Sequence, residues 1–465
     1  MFAMALALIL FICPGTAQAQ GIKIHQLGLG DGDCALIEII DYSPLSTSTN
    51  PILDTAVILI DAQRNKSAAA SEIYKFIDSR LGASGLNRKK IDYIVLSHVH
   101  IDHYGNMITA LSELVENDYD VSYVFDRMAL NVTNMSWTLD DVDECYDELV
   151  VDKMSASASR YHKFITENFG DGYFPILPGQ DMLESRFVNA RMLCVASFGS
   201  ALSATNKDPQ FFIPWNGSAY KPKSENDLSF AFLLSYGGFR YFTGGDLGGQ
   251  DHGGYANGEV PVGQYLVAKA GANFHFCAFK VSHHGSAESS APAFLSLVKP
   301  TVAVIPASLR AYGRSTNPLP TCATLDNLVG ASVAKIAFTF VPEGDVKVLA
   351  NYCKYKNLDH TQDVTLAVNF ADLQAAITMH LTYQGRDEDY AISGAPTTED
   401  ITCSKTHTAT PFSPTTTFGL SMYRQYAGAK LNGQKAKQPV QKKPVKPVKK
   451  SPAKPVKKKQ AATAS

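Results

Sequence analysis

The segment Ser97-His98-Val99-His100-Ile101-Asp102-His103 places three histidines and an aspartate within six residues, directly after an apolar run that starts at Ile91. Imidazole nitrogens and carboxylate oxygens are the donors that borderline transition metals take. Alternate residues of an extended chain share a side, which puts His98 and His100 together. Asp102 and His103 then turn toward a neighbouring point. The segment therefore supplies ligands for two ions, and such residues rarely cluster in apolar surroundings without a site.

Strands and helices in alternation must carry that loop. Gly21–Leu27 and Cys34–Ile40 read as two strands around the turn Gly28–Asp33, and Ala56–Asp61 as a third. Ile73, Phe76, Ile77 and Leu81 recur at helical spacing within 71–81. Ile91–Ser97 is a buried-type strand, and Met107–Val115 the helix after the loop. Strands follow at Leu228–Ser235, Phe239–Thr243, Cys277–Ser282 and Thr301–Ile305, with a closing hairpin expected from Ala334–Phe340 and Val346–Asn351. That order indicates a layered α/β architecture. The region 121–220 is less regular. Its part Thr138–Phe169 reads as mostly helical and acidic at its start, a solvated helix face. Val364–Asn369 and Ala375–Tyr383 read either as an appended β-subdomain or as extra edge strands.

Further motifs fall in order along the chain: Ile58-Leu-Ile-Asp61, Phe242-Thr-Gly-Gly-Asp246 and Val281-Ser-His-His-Gly-Ser286. With the histidine loop they resemble the metallo-β-lactamase superfamily, over about Gly21–Asn351. The opening His25-Gln-Leu-Gly-Leu-Gly-Asp-Gly-Asp-Cys-Ala-Leu-Ile, the Asn226-Asp-Leu-Ser229 segment and the Ser-His-His-Gly-Ser motif further resemble the hydrolase domain of the competence protein ComEC and its stand-alone relatives.

The resemblance implies a four-layer αβ/βα sandwich, to which the strand-like runs after it add a C-terminal β extension and the Lys/Pro-rich composition a disordered tail. It also implies two divalent ions, zinc or alternatively manganese. His98 and His100 would hold one ion, Asp102 and His103 the second, and Asp246 would bridge them. Asp102 is also a candidate catalytic residue. Between His283 and His284, the strand-end position favours His283 as ligand and leaves His284 to donate a proton or grip a phosphate. Asp61 reads as a group that orients a ligand histidine.

Several residues depart from the pattern. No histidine fits the third position on the first metal that many family members have. Glu225 and Asn226 lie there instead, and His162 reads as structural. Thr243-Gly-Gly-Asp246 carries one glycine more than usual, the spacer 104–245 is long, and Tyr312–Pro318 lacks a histidine often found there. His25 reads as structural and His252 as an exposed loop residue. The Gly28–Gly32 turn lacks the Gly-Lys-Ser/Thr ending of a phosphate loop. No Gly-x-Ser-x-Gly elbow stands in a strand–turn–helix context, and Ser286 reads as a loop hydrogen-bonder.

The chain has 465 residues, 45% hydrophobic and 18% charged, which is globular chemistry and excludes a wholly disordered or fibrous chain. Of its 42 basic residues, 12 are lysines between Lys430 and Lys459, leaving 30 against 44 acidic residues elsewhere, a body at −14. The organisation expected is a signal peptide at 1–19, a hydrolase domain at 20–355, a β-rich extension at 356–426 and a Lys/Pro-rich tail at 427–465. The apolar run at Met1–Ile12 ends at Pro14-Gly15 and Ala17-Gln18-Ala19, so the mature chain is expected to be secreted or periplasmic, with no transmembrane segment.

The eight cysteines include no Cys-x-x-Cys pair, which argues against a thiolate zinc site. Cys322 with Cys353 is a possible disulfide, and buried free thiols are an equal reading. The function expected is hydrolysis of phosphodiesters by an exported two-metal enzyme, with the tail drawing nucleic acid or anionic wall polymer toward it. The alternatives are a phosphorylcholine-type esterase or lactamase, and a non-catalytic polyanion-binding surface protein on the same fold.

Overall fold

The computed structural model describes residues 21–28, 32–45, 52–64, 69–82, 85–128, 155–184, 186–217, 220–250, 254–307 and 319–339, together with strand backbone at 359–360, 363–369, 378–383 and 386–391. The signal peptide, the acidic start of 138–169, His252, the Tyr312–Pro318 segment, the second arm of the closing hairpin and the tail lie outside the described residues.

A first sheet begins with β1 (Gly21–Leu27), β2 (Ala35–Tyr42), β3 (Leu53–Ile60), β4 (Lys90–Val95), β5 (Asp120–Phe125) and β6 (Tyr173–Phe174). Helices α1 (Ala69–Leu81), α2 (Ile101–Tyr104), α3 (Met107–Glu116) and α4 (Ala156–Phe169) alternate with these strands. The second sheet holds β7 (Ala190–Ser197), β8 (Ser200–Ala201), β9 (Gln210–Phe211), β10 (Ala231–Tyr236), β11 (Phe239–Thr243), β12 (Ala278–Lys280), β13 (Val302–Ile305), β14 (Lys335–Phe338) and β15 (Asp359–His360). Helices α5 (Glu259–Ala270), α6 (Pro292–Val298) and α7 (Cys322–Gly330) belong to this half. The last strands, β16 (Asp363–Asn369), β17 (Thr378–Tyr383) and β18 (Arg386–Ala391), return to the first sheet, where β16 pairs antiparallel with β1. Between the two readings of this region, the backbone takes the extra edge strands.

Three apolar clusters define four layers. Ile22, Ile24, Ile37, Ile39, Ile58 and Val95 of the first sheet meet Met192, Cys194, Phe232, Leu234, Tyr241 and Val304 of the second. Leu36, Leu59, Ile94 and Val124 on the other face pack against Ile73 and Ile77 of α1, Leu111 and Leu114 of α3 and Ile165 of α4. Leu233, Phe242, Phe279 and Ala303 carry Leu266 of α5, Phe294 of α6 and Leu325 of α7. Both faces of each sheet are thus covered. The central strands therefore read as unbroken apolar runs rather than as alternations. The architecture is the αβ/βα sandwich.

Of the expected closing hairpin only the first arm is described, as β14 (Lys335–Phe338). β14 runs parallel to β13 and parallel to β15, so it extends the second sheet by crossovers. Strand β10 starts later than expected because Glu225–Leu228 forms a single 3₁₀ turn capped by Ser224. Cys34, Cys194 and Cys277 are buried free thiols, and Cys322 is disulfide-bonded with its partner outside the described residues. No helix among the described residues is long and apolar enough to cross a membrane.

One buried charge ties α1 to the first sheet. Glu38 of β2 faces the helix layer and accepts from Arg80 Nε at 2.7 Å, and its Oε1 lies 2.9 Å from His25 Nε2. His25 is therefore engaged structurally. Burial opposes ionisation of Glu38, but the His25 and Arg80 contacts outweigh it and bring its pKa down to about 2. A depressed carboxylate stabilises the fold fully above the unfolded-state value near 4.5 and loses that contribution as pH falls toward 2. The shift is worth about 3 kcal/mol at neutral pH. Glu38→Gln is expected to lower the denaturant midpoint clearly at pH 7, with the gap to wild type closing as the pH drops from 4.5 toward 2. An equal gap at every pH would show that the charge does not contribute.

Candidate metal centre

The parallel strands of both sheets end at one edge, and every cluster residue but one lies just beyond such an end. Asp61 follows β3, the histidine loop follows β4, Asp246 follows β11 and the His283–His284 pair follows β12. Ligands of open α/β sheets collect at this carboxyl edge. Asp33 is the exception, reached through the β1–β2 turn.

Within the loop, His98 Nε2 lies 3.0 Å from His100 Nδ1, so the two rings do share a side. Asp102 and His103 sit in the short helix α2, for which His100 is the cap residue in extended geometry. Asp246 stands between the two sets. Its Oδ2 is 3.6 Å from both His98 Nε2 and His284 Nε2, and its Oδ1 is 3.4 Å from His103 Nε2. Asp102 Oδ2 is 3.4 Å from His284 Nε2.

Hydrogen bonds behind the cluster fix the rings. Asp61 accepts from Ser97 N and Ser97 Oγ, each at 2.7 Å, and lies 2.8 Å from His103 Nδ1. A carboxylate accepts, so His103 Nδ1 carries the proton and Nε2 faces Asp246. His284 Nδ1 likewise donates to the Pro306 carbonyl at 2.8 Å, which turns its Nε2 toward Asp102 and Asp246.

Of the histidine pair, the structure brings His284 rather than His283 to the donor clusters. His284 is buried and joins the donor clusters, whereas His283 lies at the rim. His283 Nε2 is 3.0 Å from Asn226 Nδ2 and 4.0 Å from Asp246, and its ring packs on Tyr255 with centroids 5.0 Å apart. The reason is local. Both residues take left-handed backbone, with φ of 48° and 51°, so the chain is not extended past β12 and strand alternation does not apply.

Electrostatics follow from this packing. Burial, reinforced by the neighbouring His103, keeps His98 well below the ordinary histidine range. Burial opposes a charge on His103 too, but Asp246 and Asp61 outweigh it and raise that pKa well above normal. For Asp246, burial is overcome by His103, His284 and His98, which hold it well below the usual carboxylate range.

These donors fit divalent ions. His98, His103 and Asp246 offer atoms within 4.8 Å of one another, as do Asp102, His103 and His284. Two donors on one tetrahedral ion with bonds near 2.0–2.1 Å are separated by roughly 3.3 Å, close to the 3.4 Å separations in this cluster. His103 Nε2 and Asp246 Oδ1 are buried and make no hydrogen bond. Buried polar atoms normally have partners, so this pair of atoms is where a cation would fit. At the position of the absent third histidine, Glu225 pairs with the buried Arg127 and accepts from Val99 N at 2.9 Å. It braces the loop. His162 lies on α4 near Tyr173, away from the cluster.

Two participants escape a reading by motif. Asp33 reads as part of a glycine turn, yet its carboxylate reaches the cluster beside Asp246 and His284. Lys280 is a lone lysine in the buried run Ala278-Phe-Lys-Val281, a residue type almost never fully buried without a partner. That rarity is the signal that could have found it.

Two glycines explain the turn motifs. Gly32 has φ +103°, and a Cβ there would lie 1.9 Å from the Asp102 carbonyl oxygen. At Gly245, φ +54°, a Cβ would meet Ser229 at 2.9 Å and Ser97 at 3.1 Å. The extra glycine of Thr243-Gly-Gly-Asp246 therefore lets the Asp246 backbone close on the histidine loop. Gly32→Ala is expected to push the Asp102 turn outward and cost about 2 kcal/mol or more. Denaturant unfolding checks this, and wild-type stability in the variant would contradict it.

The sequence profile of the Metallo-beta-lactamase superfamily matches residues 52–113. No curated protein sequence matches the chain. Among solved structures the chain is similar to a long-form RNase Z from yeast, at 10% identity over 70% of this chain and 38% of that one, TM-score 0.30. It is also similar to a diphosphatase from the PhnP family, at 9% identity over 75% and 98%, TM-score 0.31. A B3 metallo-beta-lactamase with an active-site glutamic acid is a third, at 11% identity over 71% and 86%, TM-score 0.26. The chain thus spans well under two thirds of the RNase Z, and at these scores none of the three bears on activity. Residues 52–113, which carry β3, β4 and the histidine loop, match that superfamily's profile, and they lie within a two-sheet αβ/βα sandwich.

Proposed function

We propose that this chain is a metal-dependent hydrolase acting on phosphodiesters. The observation that carries the reading is Asp246, whose two oxygens face His98 and His284 on one side and His103 on the other. One ion would be held by His98, His100 and Asp246, and a second by Asp102, His103, Asp246 and His284. Bound there, two ions supply Lewis acidity and lower the pKa of a coordinated water toward neutrality.

The chain's own groups do the positioning. Asp61 fixes the His103 ring, and the Pro306 carbonyl fixes His284. His283 takes the substrate-facing place at the rim with Asn226 and Tyr255. Burial lowers its pKa to about 4, so it meets substrate as a neutral hydrogen-bonding group at pH 7. On this reading His284 is the ligand and His283 meets the substrate, the reverse of what strand alternation leads one to expect.

The Met1–Ala19 leader supports export, and the order of motifs supports kinship with the ComEC group. The 12 lysines of the tail support a tether for polyanions, which the acidic body would otherwise repel.

The direct test is a hydrolysis panel of a small phosphodiester, a phosphorylcholine ester and a β-lactam, run with and without chelation. The phosphodiester is expected to turn over fastest. His98→Ala and Asp102→Ala should each lower that rate by on the order of 10²-fold or more while the fold persists. Activity that survives chelation and both substitutions would overturn the mechanism. Preference for the choline ester or the lactam would overturn the substrate class.

Truncation after Ala429 is expected to weaken DNA or wall-polymer binding at low salt and to spare small-ester turnover, with added salt erasing the difference. Equal polyanion binding by both forms at low salt would remove the tether.

A further inference from the structure

Beneath the donor cluster a buried ion pair joins the two sheets. Lys280, the last residue of β12, sends Nζ across to Asp33 Oδ2 at the end of the β1–β2 turn, and its ammonium also donates to the Gly245 carbonyl at 2.7 Å. Both side chains are 3% exposed. Asp33 is anchored on three further sides. Its N–H donates to Asp102 O at 3.2 Å, its carbonyl accepts from Gln63 N at 2.8 Å, and its Oδ1 accepts from Gln26 Nε2 at 3.3 Å.

The position of this pair is unusual. Asp33, Asp246 and His284 offer donor atoms within 4.8 Å of one another, as do Asp33, Asp61 and His103. Asp33 is thus a carboxylate at ligand range, with one oxygen occupied by an ammonium. The same ammonium grips the residue immediately before Asp246.

We propose that Lys280 is a positioning residue that sets the metal preference of the site, by holding Asp33 out of the ligand set and the Asp246 carboxylate in place. This rests on the reading that the cluster binds divalent metal. With Asp33 engaged, the donors are imidazoles with two carboxylates, a set suited to zinc. With Asp33 released, a further hard oxygen donor would enter. Oxygen-rich sets favour manganese and magnesium over zinc.

A purely structural role for the pair makes a different forecast. Replacing one member of a buried pair by an apolar residue of similar length changes stability. It has no reason to change the ratio of two metals' affinities. That ratio is therefore the readout, measured on the full chain by competition with chromogenic chelators for zinc and for manganese.

In Lys280→Met the ratio of zinc to manganese affinity is expected to fall by on the order of 10-fold. Lys280→Arg keeps a cation on Asp33 and should restore most of the wild-type ratio. Asp33→Asn combined with Lys280→Met removes the charged donor and should also return the ratio toward wild type. Binding by Lys280→Met with an unchanged ratio would overturn the proposal, as would a shift that persists in the double variant.

Should Lys280→Met fail to fold, Asp33→Asn alone decides. Asp33 is not a ligand while Lys280 holds it, so both affinities should drop together and the ratio should stay. A changed ratio in Asp33→Asn would overturn the proposal. Absence of divalent binding by the wild-type chain would instead strike the underlying metal reading, and so is distinguishable from failure of the proposal.

Discussion

The structure depends on accommodating four aspartates at one sheet edge. Asp33, Asp61 and Asp246 are buried and Asp102 nearly so. An ion removed from water costs several kcal/mol unless it is paired and hydrogen-bonded. Each of these carboxylates is compensated by neighbouring groups. Asp61 takes Ser97 and His103, Asp33 takes Lys280 and Gln26, Asp102 takes His284, and Asp246 lies against His98, His103 and His284. The Asp33–Lys280 and Asp102–His284 pairs and the Asp246 contacts with His98 and His103 cross between the sheets, so the charge cluster also sets how the two halves of the sandwich meet.

The backbone around the cluster is bent to permit those contacts. Asp61, Gln63, His283 and His284 all have positive φ, a conformation that costs L-residues roughly 1–2 kcal/mol each. Strain of that size persists only where surrounding contacts over-determine it, and it gathers at functional sites. At Asp61 the contacts are Ser97 and His103. At His284 they are the Pro306 carbonyl and Asp102, with Gly285 closing against Pro320. The glycines at 32 and 245 serve the same end without strain, by allowing backbone to approach backbone.

Much of this was legible in residue types. The histidine loop, Asp61 and Thr-Gly-Gly-Asp246 stand where their strands end, because a short apolar run followed by polar donors marks a strand delivering a site. Strand β11 and the first strand were read with their observed limits. That His284 rather than His283 reaches the donor clusters was not legible, since it comes from two left-handed residues that spacing does not reveal. Asp33 and Lys280 are far apart in sequence, and only the packing of the sheets brings them together.

Helices α5, α6 and α7 were missed, as were β5 and β7. Strands Asp120–Phe125 and Ala190–Ser197 fall in the region where helical and acidic stretches obscure the short apolar runs. The parallel neighbours of β14 were not foreseen, because adjacent apolar runs look alike whether they pair antiparallel or return by parallel crossovers.

The central claim is that Asp246 joins two metal positions, with His284 among the ligands. Anomalous diffraction from crystals grown with zinc tests it most directly. The account predicts two peaks, both adjoining Asp246, with His98 beside one and His284 Nε2 beside the other. A single peak, peaks that leave Asp246 aside, or ligation by His283 in place of His284 would contradict it.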